Sequence, residues 1–346
     1  FIVDAIRKRC ECEVLGYTGK PDSYYRAIIN WVKQRYDLDV TKEMINFVPG
    51  IVPGIGMAMN SFTRPGDKVM IQPPVYHPFA WVTTRNERTL VTNPLKWGNG
   101  MYRMDLDAFR EQVKGCKLFI LCNPHNPGGV VWTEDELRTV AEICYEEKVL
   151  VFSDEIHADL TLPPYKHRPF ATISEKAKMN SVTFMSPSKA FNMPGLAASH
   201  AIIFNEDLRA RFRKFMDAGE LDMGHVFAFL SVEAAYTHGT EWLDQCLAYI
   251  QGNIDYVDNF LKTHAPRIKA IRPQASYLVW LDCRELGLNQ EALNDFFADK
   301  AHLALNDGAM FGKEGTGYMR LNVASPRSVI EQAMKQLAEA YQAMSF

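Results

Sequence analysis

A chain of 346 residues, 47% apolar and 23% charged, has the make-up of an ordinary soluble globular protein, long enough for one large unit and a smaller one. The 38 basic and 41 acidic residues leave a net charge of −3, which argues against a nucleic-acid surface and against a polybasic membrane patch. No apolar run reaches the roughly 20 residues of a bilayer span and no secretory leader opens the chain, so a cytoplasmic protein with neither membrane nor nucleic-acid partners is expected.

The first residues, Phe1-Ile2-Val3-Asp4-Ala5-Ile6, read as the inside of a helix and lack an initiating Met. A further N-terminal segment is therefore expected ahead of them. Val48-Pro49-Gly50-Ile51-Val52-Pro53-Gly54 precedes a helix running through Met57 and Met59. Short, nearly continuous apolar runs then recur at 68–72, 117–122, 149–153, 181–185 and 201–204. Such runs are strands buried on both faces. Helical patterns separate them, one starting at Thr133 with Glu134 and Asp135 in its first turn. The alternation predicts a doubly wound α/β unit.

Past about Thr237 the pattern changes. It predicts a long helix over 240–264, strands near 268–271 and 277–281, a helix near 290–299, strands near 302–305 and 317–323, and a last helix near 327–343. This divides the chain into a large unit, 1–240, and a small α+β unit, 241–346, joined by the long helix. The seven cysteines are scattered, odd in number and partly within strand-like runs, which suits free thiols in a reducing compartment.

Ligands of open α/β sheets bind beyond the carboxyl ends of the strands. Three such ends carry chemistry here. Asn123-Pro124-His125-Asn126-Pro127-Gly128-Gly129 follows one strand, and its paired Asn-Pro steps would make a rigid turn able to aim an amide inward. Ser153-Asp154-Glu155-Ile156-His157-Ala158-Asp159 ends another. It reads as a solvated acidic loop, as a metal site without matching ligands elsewhere, or as the position of a functional carboxylate. Ser186-Pro187-Ser188-Lys189 ends a third, where the lysine is either an exposed turn residue or a reactive amine. Tyr318-Met319-Arg320-Leu321-Asn322 in the second unit adds an arginine. No glycine-rich fingerprint opens a helix after the first strand, which disfavours a nucleotide-binding protein.

Together and in this order, these segments resemble the fold-type I enzymes that depend on pyridoxal 5′-phosphate (PLP), the class I/II aminotransferase superfamily. The resemblance covers nearly the whole chain. Within that superfamily it is nearest the MalY/PatB-like C–S lyases, which include cystathionine β-lyases. Ser153–His157, Pro74-Val75-Tyr76-His77-Pro78-Phe79, Ser276-Tyr277-Leu278-Val279-Trp280-Leu281-Asp282 and Arg320–Asn322 carry that closer likeness.

The resemblance implies a mainly parallel sheet sandwiched by helices, plus a small C-terminal α+β domain. It implies Lys189 as the Schiff-base lysine and the base that moves a proton at the substrate's Cα. Asp154 would face the pyridine nitrogen, Asn126 would donate to the ring's 3′ oxygen with His157 close by, and Tyr76 would stack on the ring. Ser186, Ser188 and the N–H groups of Ile51 and Val52 would hold the phosphate, joined by Tyr17 from the neighbouring subunit of a homodimer with shared active sites. Arg320 would bind the α-carboxylate of a small amino-acid substrate. Many aminotransferases carry Gly-Trp-Arg shortly after the lysine; here the stretch is Gly195-Leu196-Ala197. That departure leans towards a lyase acting on cystathionine or related cysteine conjugates. An aminotransferase is the alternative, and a PLP-fold binding or regulatory protein the third reading.

Overall fold

The computed structural model describes residues 1–344. Nine strands precede residue 203: β1 (Ile45–Val48), β2 (Lys68–Ile71), β3 (Thr89–Thr92), β4 (Lys96–Gly98), β5 (Met101–Arg103), β6 (Cys116–Cys122), β7 (Leu150–Asp154), β8 (Ser181–Met185) and β9 (Ser199–Ile202). Seven of them form one sheet in the order β1-β9-β8-β7-β6-β2-β3, and β4 pairs with β5 in a separate hairpin. β9 is antiparallel to both of its neighbours, while the strands from β8 to β3 all run parallel. The sheet is therefore mainly parallel, as expected of a doubly wound α/β unit.

The apolar runs become strands because both faces are covered. Along β6 only Lys117 is exposed, and β7 and β8 are buried throughout. The two-residue period of a strand splits β6 between two cores. Leu118 and Ile120 pack with the helices Ile51–Phe62 and Glu206–Ala218 on one face. Phe119 and Leu121 pack with the helix Glu134–Glu146 on the other. That helix starts where its sequence says, because Thr133 and Glu136 form a reciprocal capping box.

Beyond the helix Thr240–His264 lie β10 (Lys269–Ile271), β11 (Leu278–Asp282), β12 (Asn306–Asp307) and β13 (Tyr318–Asn322), an antiparallel sheet in the order β10-β11-β13-β12. The last helix is Arg327–Gln342. One apolar cluster runs from Tyr24 and Trp31 through Val257 to Ala340, so the two parts of the chain share a core.

Three expected elements differ. The strand read near 302–305 is displaced to the two-residue β12, because Leu303 and Leu305 pack on the core rather than extend a sheet. The helix near 290–299 is α-helical only over Gln290–Asp295 and then widens into a π turn, Phe296–Lys300, which buries both Phe296 and Phe297. The strand read at 201–204 begins earlier, at Ser199, since Ser199 and His200 are buried despite their polarity.

The turn after β6 is locked to the second part of the chain. Gly129 C=O accepts from Gln274 N at 2.8 Å and from Ala275 N at 3.1 Å. Gly129 has φ of +65°, and a Cβ there would lie 2.4 Å from Pro273 Cβ. Both the left-handed backbone and the close approach demand glycine. Gly129→Ala should lower the unfolding free energy by about 2–3 kcal/mol in urea titrations; a loss under about 0.5 kcal/mol would show that the contact relaxes freely.

Candidate active site

β8, β7 and β6 are neighbours in the sheet, so their carboxyl ends open side by side. The register sets Cys122 opposite Asp154 and Asp154 opposite Phe184. Two hydrogen bonds carry the ladder past the strand ends: Asn123 N to Asp154 C=O and Glu155 N to Phe184 C=O, each 2.9 Å. They bring the three chemistry-bearing turns together around a cavity of about 380 Å³. Tyr76, Asn126, Asp154, His157, Ser188, Lys189, Arg320, Ile51 and Val52 all line it. Ser186 lies behind the wall, where its hydroxyl bonds Ser188 Oγ at 2.9 Å and Ala198 C=O at 2.7 Å. Tyr17 is away from this cavity and 97% exposed.

One end of the cavity suits an anion. Gly50 is the N-cap of the helix Ile51–Phe62 with φ of 135°, and no side chain caps that end. The N–H groups of Ile51 and Val52 therefore point free at the start of a helix whose dipole favours negative charge. Ser188 Oγ adds a hydroxyl on the same cavity wall.

A second subsite is set by Arg320 on β13. Its two terminal nitrogens donate to Asn126 Oδ1 at 2.9 Å and Asn306 Oδ1 at 2.7 Å. Its Nε is buried without a partner, and the guanidinium lies 4.7 Å from the Phe311 ring centre. A fork held by neutral amide oxygens keeps its full charge for a carboxylate.

Burial tunes the remaining groups. It pushes the Asp154 carboxyl up to about 7, against a hydrogen bond from Ile156 N that acts the other way. Burial, aided by Arg320 and opposed by Asp154, holds the Lys189 ammonium below its usual range. His157 is pushed down to about 3 by burial and by the Lys189 and Arg320 charges, so it is neutral at ordinary pH. Its Nδ1 is buried without a partner and its ring meets Tyr277 edge-on at 6.3 Å. The cavity thus offers an anion site, a buried carboxylate, an amine with a lowered pKa and a carboxylate fork.

Sequence reading missed Tyr277, Asn306 and Asn322, which also line the cavity. Tyr277 and Asn322 stand in segments singled out for their resemblance, but the direction of their side chains is not written in the sequence. Asn306 has no local signal, since only the pairing of β12 with β13 sets it opposite Arg320.

The Asp154 shift gives a test. In the folded chain free of ligand, Asp154 keeps a proton up to about pH 7, whereas an unfolded aspartate loses it near about 3.9. Its contribution to stability is whole below the lower value and lost as pH rises through the higher one. Asp154→Asn removes that loss. Its stability relative to the parent should rise between pH 4 and 7 by up to about 1.4 kcal/mol per pH unit, read from urea midpoints. A difference that stays flat with pH would mean the carboxyl is not shifted.

The model of the family described as aminotransferase class I and II matches residues 11–337. Cystathionine beta-lyase PatB of Bacillus subtilis is 38% identical over 341 residues, which span 98% of this chain and 88% of that protein. Cystalysin from Treponema denticola, whose crystal structure contains a pyridoxal 5′-phosphate cofactor, superposes with a TM-score of 0.96 at 35% identity, over 99% of this chain and 87% of that one. The PLP-bound C–S lyase from Staphylococcus hominis gives 0.91 at 33% identity, over 98% of this chain and 87% of that one. A family model that matches residues 11–337, together with a relative 38% identical over 98% of the chain, makes this chain a member of the aminotransferase class I and II family.

Proposed function

We propose that this protein is a PLP-dependent C–S β-lyase that splits cystathionine or a related cysteine conjugate into pyruvate, ammonia and a thiol. The observation that carries the reading is the convergence of Lys189, Asp154, Asn126 and Arg320 on one cavity. The donor set suits PLP at each end. A phosphate matches the uncapped helix start at Ile51 and Val52 with Ser188 beside it, and a protonated ring nitrogen matches the buried Asp154 carboxylate. PLP bound there supplies an electron sink for the charge left when the substrate's Cα–H bond breaks.

The chain's own residues do the rest. Lys189 would be the amine that holds the cofactor and the base that moves the Cα proton; burial holds its ammonium below the usual range, which eases loss of the proton. Asp154 would ionise opposite a cation and would keep the ring nitrogen charged. Asn126 has its Oδ1 occupied by Arg320, which leaves its Nδ2 group to donate to the ring's 3′ oxygen. His157, neutral, would stand near the same oxygen, and Tyr76 would cover the ring face; both line the cavity. Stacking of that kind is worth about 0.5–1.5 kcal/mol beyond burial. Ser186, whose proton goes to Ala198 C=O, accepts from the Ser188 hydroxyl and so holds that side chain in place on the cavity wall. Arg320, held by Asn126 and Asn306, would grip the α-carboxylate and so would orient the substrate's Cα–H bond. Gly195-Leu196-Ala197 places Ala197, with no cation, on the cavity wall, in keeping with a lyase.

The functional unit in this reading is a homodimer with shared sites, in the cytoplasm. Tyr17 sits on an exposed run with Val14 and Leu15, beside a groove of about 450 Å³ lined also by Met223 and Phe227. An apolar strip of this kind favours contact with a second copy.

With added PLP and L-cystathionine, and no keto acid, the enzyme should release equimolar pyruvate and thiol. Lys189→Ala should lose at least about 1,000-fold in rate, and Arg320→Ala should raise KM about 10- to 100-fold. No thiol, with amino transfer once 2-oxoglutarate is supplied, would assign the aminotransferase reaction instead. Sedimentation should show a dimer, and Tyr17→Phe should weaken PLP binding by about 10-fold; a monomer with full activity would sink the shared site.

A further inference from the structure

Two acidic residues of the segment after β7 take no part in the cavity. Asp154 and His157 face it, while Glu155 and Asp159 turn to the other side and are 1% and 6% exposed. Glu155 Oε1 accepts from Ser153 Oγ and from Phe170 N, each at 2.8 Å, and its Oε2 lies 2.7 Å from His167 Nε2. Asp159 accepts from Trp31 Nε1, at 3.0 Å to Oδ1 and 3.2 Å to Oδ2, and from the Tyr36 hydroxyl. The two groups adjoin, since the Tyr36 and His167 rings meet edge-on at 5.5 Å. They form one polar layer directly behind the residues that face the cavity.

Burying two carboxylates is costly, and apolar replacements of the same volume are often as stable or more so. Stability alone therefore does not account for them. What a fully satisfied buried network does supply is one specified conformation. Here the conformation in question is that of residues 154–159, of which Asp154, Ile156 and His157 line the cavity. Trp31 and Tyr36 lie on the helix Asp22–Tyr36, and His167 and Phe170 on the later connection, so the loop is held from two separate elements. Its far end is held too: Ser276 N donates to Leu160 C=O at 2.8 Å.

We propose that Glu155 and Asp159 are positioning residues for the cofactor. Clamped by His167 on one side and by Trp31 and Tyr36 on the other, they fix the loop so that Asp154 and His157 face the ring. This rests on the reading that the cavity holds PLP. It assigns a part in cofactor geometry to an N-terminal helix that does not reach the cavity.

The test compares Tyr36→Phe, Asp159→Asn and Glu155→Gln with Leu261→Ala, a core truncation far along the chain at a residue only 1% exposed. Three quantities are read on the purified holoenzyme: the PLP dissociation constant, the visible circular dichroism of bound PLP and the urea midpoint. The clamp variants should bind PLP about 5- to 30-fold more weakly and lose visible dichroism, while Leu261→Ala, with an equal or larger fall in midpoint, keeps both near the parent values. Tyr36→Phe removes only a hydroxyl and should fold even where a carboxylate variant does not. Clamp variants with parental affinity and dichroism, and only a lower midpoint, would overturn the proposal while leaving the PLP reading intact. A parent protein that binds no PLP at all would sink that reading and this inference with it.

Discussion

The register that ties β6, β7 and β8 is the constraint on which the rest depends. Cys122, Asp154 and Phe184 lie level across three parallel strands. The backbone bonds beyond them start the three turns from a common edge. Because side chains alternate along a strand, a slip of one residue would turn Asp154 into the core and a core residue into the cavity. The apolar packing of β6 against helices on both faces forbids that slip. The precision of the site is thus inherited from the hydrophobic core.

The second consequence is electrostatic. Asp154, His157 and part of Lys189 are taken out of water at the strand ends, and each responds by shifting towards its neutral form. In such a setting a charge is stabilised only by what faces it. A ring nitrogen opposite Asp154 and a phosphate at the helix start would each meet a group already oriented for it. Arg320 is treated differently. It is gripped by two asparagine amides rather than by carboxylates, so its charge is positioned without being neutralised. One of these, Asn126, belongs to the turn after β6 and the other, Asn306, to β12, so Arg320 stitches the two sheets together at the site.

The division of labour within the acidic segment follows from the same economy. Three carboxylates and a histidine within six residues look like a metal site on paper. In the fold they diverge, Asp154 and His157 to the cavity, Glu155 to His167, and Asp159 to Trp31 and Tyr36. A tight turn at a strand end sends successive side chains to different sides, so closeness in sequence did not become closeness of ligands.

What the sequence by itself determined was whatever depends on local pattern. Continuous apolar runs announced the central strands, Thr133 followed by Glu134 and Asp135 announced a helix start, and the strand ends drew attention to the segments that follow them. Lys189, Asp154, Asn126 and Arg320 stood in segments whose local reading stayed open, and only the order of those segments and the resemblance it carries singled them out; the fold brings all four to one cavity. Tertiary structure alone decided which distant groups meet. The pairing of β12 with β13 brought Asn306 to Arg320, the packing of the helix Asp22–Tyr36 brought Trp31 and Tyr36 to Asp159, and the packing of the half-buried Leu303 and Leu305 against the core moved an expected strand. Contacts between residues far apart in the chain have no local signature, because what selects them is the joint filling of a core and not the preference of any one segment.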